Sequence, residues 1–92
     1  MKFQQQPDLA LGALYRDEPR TAERVDDLLD VLEDNPLDPR VRAHELRVGT
    51  GPLVSAVWAF RVRGISEDVW TFWTMVDDEV TVAYLGPFTP GR

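Results

Sequence analysis

Apolar residues recur along this chain at two different periods, and the change from one to the other divides it. Between Ala22 and Leu32 the spacing is three and four: Ala22, Val25, Leu28, Leu29 and Leu32 form one stripe, with Glu23, Asp26, Asp27, Asp30 and Glu33 opposite. This is the period of an amphipathic helix. Further on, three runs rich in β-branched and aromatic residues, Val54 to Val62, Val69 to Val76 and Val80 to Leu85, are separated by Gly64-Ile65-Ser66-Glu67-Asp68 and by Asp77-Asp78-Glu79. Such runs bounded by Gly, Ser and Asp predict consecutive antiparallel strands in a meander. In the first run Val54, Ala56, Trp58, Phe60 and Val62 share one face, the predicted core, and Ser55, Val57, Ala59, Arg61 and Arg63 the other. The second run is largely apolar on both faces, with Val69, Trp73 and Met75 on one and Trp70, Phe72 and Val76 on the other. A central strand covered on both sides has this pattern.

Proline, glycine and the charged caps supply the boundaries. Pro7 suits a first helical position and Asp8 the first turn, predicting a helix through Leu9, Ala10, Ala13 and Leu14 that ends near Arg16. A turn at Arg16-Asp17-Glu18-Pro19 restarts a helix, which Asn35-Pro36 stops, because a residue before proline is pushed out of the helical region. Two helices joined this tightly form an αα-hairpin, and each is short enough to need a sheet beneath its apolar stripe. Met1 to Gln5, with Phe3 as its strong β-former, reads as a short strand that needs a sheet to join. Polar and apolar residues alternate over much of Arg40 to Arg47, a strand with one wet face, and Val48-Gly49-Thr50-Gly51-Pro52 reads as the loop leading back into the meander. Gly86-Pro87 and Pro90-Gly91 end regular structure. The expected fold is α+β and a single domain over residues 1–92: a short N-terminal strand, a two-helix hairpin, then an antiparallel four-stranded meander.

Composition narrows the chemistry. The chain of 92 residues suits one small core, and 43% apolar residues with nine aromatics suffice to pack it. Without cysteine there is no disulfide, thiolate metal site or cysteine nucleophile. No apolar run approaches the roughly 20 residues that cross a bilayer, and MKFQQQPD lacks the apolar core of a signal peptide, so a cytoplasmic protein away from the membrane is expected. A net charge of −6 argues against non-specific nucleic-acid binding as the main activity. The acid is uneven: residues 1–46 hold eleven acids and six bases, residues 47–92 five and four.

Three stretches then acquire a joint meaning: Leu32-Glu33-Asp34-Asn35-Pro36-Leu37-Asp38-Pro39-Arg40 at the helix exit, Trp58-Ala59-Phe60-Arg61-Val62 in the meander, and Val76-Asp77-Asp78-Glu79-Val80 at its second turn. With the element order, they resemble the RelE/ParE superfamily of bacterial toxins: its helix exit into the sheet, its Trp-x-x-Arg-Val strand and its acidic turn before the last strand. The resemblance spans nearly the whole chain. It implies a small cytoplasmic toxin, held inactive by a cognate antitoxin, that cleaves mRNA on the ribosome or poisons DNA gyrase. RelE-type members cut RNA without a metal, using basic residues for the phosphate charge and a general acid or base near the end of the sheet. Arg61 keeps its family counterpart. The family's arginine in the next strand falls on Trp70, and its C-terminal histidine and tyrosine fall on Pro87 and Phe88.

The candidate catalytic residues are therefore Arg61, for the phosphate, and His44, the one histidine and the one ready proton carrier. Pairing around the loop at 48–53 would bring Arg40, Arg42, His44 and Arg47 towards Arg61 and Arg63, a basic patch for a nucleic-acid or other target. The plainer reading makes Arg61 and Arg63 solvated strand residues paired with Glu45 or with Glu67 and Asp68. Trp58, Trp70 and Trp73 could stack on bases, but tryptophans in a central meander belong first to the core. Asp26, Asp27 and Asp30 read as a solvated face rather than a metal site, and no cofactor is implied. Three readings remain: a RelE/ParE-like toxin bound by an antitoxin; a gyrase-directed or catalytically degenerate member acting by binding alone; and an unrelated α+β interaction domain. Trp70, Pro87, Phe88 and the net charge favour binding over RNA cleavage.

Overall fold

The structure, a computed structural model, describes residues 1–48 and 55–89. Its elements are β1 (Lys2–Phe3), α1 (Gln5–Asp17), α2 (Pro19–Asp34), β2 (His44–Val48), β3 (Ser55–Val62), β4 (Val69–Val76) and β5 (Glu79–Gly86). The fold is α+β, with two helices and a five-stranded mixed sheet of order β1-β5-β4-β3-β2. β1 joins β5 in parallel, and the pairings β2–β3, β3–β4 and β4–β5 are antiparallel. Val48, expected to open the connection over 48–53, is instead the last residue of β2, and the rest of that connection and the strand start at Val54 lie outside the described residues. Among the described residues, no helix is long and apolar enough to cross a membrane.

Both helices pack on one face of the sheet. Ala22, Val25, Leu29 and Leu32 of the α2 stripe are buried, and they meet Phe60 and Val62 of β3, Val69 and Trp73 of β4, and Val80, Val82 and Leu85 of β5 in one cluster. Pro19 sits in the first turn of α2, as its fixed φ and missing N–H suggest. α1 starts earlier than expected, at Gln5, so Pro7 takes the third helical position. The reason is general: first-turn N–H groups have no intrahelical acceptor, so a proline is tolerated throughout that turn. Glu18 alone separates the helices; its carboxylate accepts from the Thr21 hydroxyl at 3.1 Å and the Ile65 N–H at 2.8 Å, tying the hairpin to the β3–β4 loop. The helices are tied to each other by the Tyr15 hydroxyl, which donates to Asp26 and is pushed up to about 12, chiefly by that hydrogen bond.

Two departures from the sequence pattern matter for the site. The strand expected from Arg40 begins only at His44, because the Asn35 and Asp38 side chains capture the backbone N–H groups of Leu37 and Arg40 at 3.1 and 2.9 Å and hold residues 35–42 in successive turns. Those turns drive Val41 into the core, where its carbonyl accepts from the buried Trp73 Nε1 at 2.8 Å. In β5, Phe72 pairs with Tyr84 but Trp73 with Val82, which leaves Ala83 as the extra residue of a β-bulge. The bulge resets the alternation, so Leu85 and Val82, three apart, both face the helices while Tyr84 faces away. At the β4–β5 hairpin Asp77 and Asp78 both take positive φ, 50° and 64°, the two-residue geometry whose twist matches the strands.

Two core substitutions should move stability in opposite directions. Trp73→Phe leaves the Val41 carbonyl without its donor and a gap beside it, and should destabilise by about 2 to 4 kcal/mol in urea unfolding. Thr71→Val removes a fully buried hydroxyl that has no partner among the described residues, and should stabilise by about 1 to 2 kcal/mol in the same assay.

Candidate functional site

The face of the sheet turned away from the helices carries a cluster built by register. His44 stands opposite Ala59, Arg61 opposite Trp70, and Phe72 opposite Tyr84, so all four strands β2 to β5 contribute to the same side. Trp70 is the centre. The His44 ring lies 4.8 Å from its ring, the Arg61 guanidinium 5.7 Å, and Phe88 packs edge-on at 5.6 Å. Phe88 also meets Phe72 at 4.8 Å, and Phe72 meets Tyr84 at 5.4 Å. Trp70 is only 3% exposed although no helix covers this face; His44, Arg61 and the C-terminal segment cover it instead.

That segment is held by backbone geometry and one hydrogen bond. Gly86 adopts φ +154°, and a Cβ there would stand 2.9 Å from the Tyr84 hydroxyl. The same hydroxyl donates to the Pro87 carbonyl at 2.5 Å, which lays Phe88 back over the sheet. Beside it, Arg61, Glu67, Asp68, Trp70, Phe88 and Thr89 line a depression of about 240 Å³. Arg61 pairs with Asp68 at 3.5 Å, the partner that the plain reading of the sequence supplies.

The candidate catalytic pair, Arg61 and His44, is thus brought together on one indole, and both side chains are exposed. The remaining basic candidates go elsewhere. Arg40 is held by Asp38 through Nε at 3.0 Å and Nη2 at 2.8 Å. Arg42 donates to the Pro36 carbonyl at 2.7 Å and lies 4.3 Å over the Trp58 ring, on the helix side. Arg47 stands opposite Ala56, also on the helix side, and pairs with Glu45 at 3.4 Å. Arg63, one residue beyond β3, lines a cleft of about 510 Å³ at the hairpin with Arg20, Arg24 and Glu18. The expected single basic patch is therefore divided among both faces and the hairpin.

Arg20 and Arg24 escape sequence reasoning, although their spacing of four already puts them on one helix side. Phe72, Tyr84 and Phe88 escape it as neighbours of Arg61 because the bulge decides which face Tyr84 takes. Trp73 is core, Trp58 packs partly buried against it at 5.0 Å between ring centres, and Trp70 is the one tryptophan of the open face. Among the described residues, no three His, Asp or Glu side chains converge where they could hold a metal. What the open face offers is a cation, an imidazole and aromatic planes, groups that suit an anionic or aromatic partner. No protein-family model matches this chain, and neither does a curated protein or a solved structure.

The loop pair has a measurable titration. Hydrogen bonds from the Arg40 side chain and backbone lower the Asp38 carboxyl from 3.8 to about 2. A depressed carboxylate contributes stability that is complete above pH 3.8 and declines as the pH falls towards 2. Carboxyl NMR titration should find Asp38 titrating near 2, and Arg40→Ala should bring it back towards 3.8 and flatten stability over that acid range.

Proposed function

We propose that this chain is the toxin of a toxin–antitoxin pair, RelE/ParE-like in its order of strand, helical hairpin and antiparallel strands, and that it engages its target through the open face around Trp70. The observation that carries this reading is the placement of two exposed side chains, Arg61 and His44, over one buried indole, 5.7 and 4.8 Å from the Trp70 ring. In the family resemblance Arg61 is the phosphate-facing residue, and this neighbourhood leaves its guanidinium accessible.

The chemistry around Arg61 favours capture over cleavage. Its charge is already shared with Asp68, and the surrounding wall is Trp70, Pro87 and Phe88, where cutting RNA would use polar groups. Binding to gyrase or to a ribosomal surface needs only the cation and the aromatic planes. The second reading, RNA cleavage, is supported by the same juxtaposition, since an imidazole beside a guanidinium can move a proton while the cation holds the phosphate. The antitoxin expected as partner has a natural counterpart in the exposed acids of α2, Glu23, Asp27, Asp30 and Glu33, which suit a basic segment. Cytoplasmic action follows from both proposed targets.

Induced expression in bacteria, with mapping of cellular mRNA 5′ ends, separates these readings. Growth arrest without new RNA ends, relieved at least about tenfold by Arg61→Ala in a chain that still folds, supports target capture. New ends that vanish with His44→Ala would transfer the assignment to RNA cleavage. Absence of arrest at full expression of folded protein would overturn the toxin reading altogether.

A further inference from the structure

A five-stranded sheet has two edges, and this one treats them differently. Along β5 the backbone is met by β1 through Lys2 and Phe3, and then by the Gln4 N–H, which donates to the Val82 carbonyl at 3.0 Å. Where β1 ends, the Gln6 side chain continues the pattern: its amide donates to the Leu85 carbonyl and accepts from the Leu85 N–H, both at 2.9 Å. At the other edge β2 pairs with β3 from His44 to Val48, and among the described residues nothing meets its outward N–H and C=O groups. Such an edge is a template for another strand.

The side chains of β2 restrict which strand it accepts. Opposite Trp58 and Ala56, Glu45 and Arg47 share the helix side, whereas Leu46, opposite Val57, faces the other way. Glu45 and Arg47 are exposed, of opposite sign, and symmetric about Leu46. If a second β2 runs antiparallel alongside, centred on Leu46, the Glu45 of each copy stands opposite the Arg47 of the other, and Leu46 meets Leu46. A slip of two residues sets Glu45 against Glu45 or Arg47 against Arg47, and in-register parallel pairing sets every charge against its like. Opposite charges directly across a strand pair stabilise it and like charges destabilise it.

We infer that the β2 edge is a self-association surface, on which two copies pair antiparallel about Leu46 and join their sheets into one of ten strands. The occupant is a second copy because the charge pattern is its own complement, as a two-fold interface requires. Five-residue strands bury less than a standard interface, so the dimer is weak and concentration-dependent. The pairing itself requires no toxin target, although the seam adjoins the open face through His44.

Sedimentation equilibrium on the full chain tests this without any target present. The native chain should show a dimer growing with concentration up to about 1 mM. Glu45→Arg and Arg47→Glu, each folded by circular dichroism, should each weaken self-association at least about tenfold. An equimolar mixture of these two variants should associate again, since one then presents two cations and the other two carboxylates; the double variant Glu45→Arg/Arg47→Glu should dimerise like the native chain. A native chain monomeric throughout, single reversals without effect, or a mixture that stays monomeric would each overturn the proposal.

Discussion

The hydrogen bond from the buried Trp73 indole to the Val41 carbonyl joins the parts of this molecule that the backbone ladder leaves separate. Residues 35–43 belong to neither helix nor strand, yet they must carry the chain from the end of α2 across the core to the outermost strand. An unpaired carbonyl buried there would cost about 1 to 3 kcal/mol. With Trp73 as donor, Val41 can fill the space between α2 and the sheet, Arg42 can settle over Trp58, and β2 starts in the register that puts His44 on the open face. The location of His44 beside Trp70 is thus a consequence of a core contact on the other side of the sheet.

Most of the framework follows from local pattern. The α2 stripe, the Asn35-Pro36 stop, the end of β3 at Val62 and the limits of β4 are set by spacing and by residues with few conformational options, so they can be read from the chain itself. The entry to β2 is hidden by competition. Arg40 to Arg47 alternates well enough for a strand, but Asn35 and Asp38 offer the backbone closer partners, and a side chain two residues away closes with less loss of entropy than a strand across the sheet. The bulge at Ala83 is hidden for a different reason: nothing in Val80 to Leu85 marks the one residue that does not alternate, and the packing of Val82 and Leu85 against the helices selects it.

The candidate site shows how far such reading extends. Arg61 is singled out by the family resemblance and His44 as the one histidine, and the Arg61–Asp68 pair follows from closeness in sequence. The basic patch does not survive as a unit because strand pairing alone decides which residues stand opposite, whereas faces are assigned by pleat parity, and Arg40 and Arg42 precede the start of β2. Arg47 and Leu46 are neighbours in the chain and face opposite sides of the sheet. Trp70 likewise stands beside Thr71 and Val69, which turn to the helices, while Trp70 forms the floor on which the open-face groups rest.

The pairing of Gln6 with Leu85 has a bearing on stoichiometry. By imitating one residue of a strand, a single amide ends hydrogen bonding along β5, and the remaining outer edge, β1, is two residues long, too short to nucleate a ladder. Each molecule is therefore one-sided in the direction in which sheets grow. A chain with two available edges can stack without limit into a fibre; this one can terminate a row but cannot extend it.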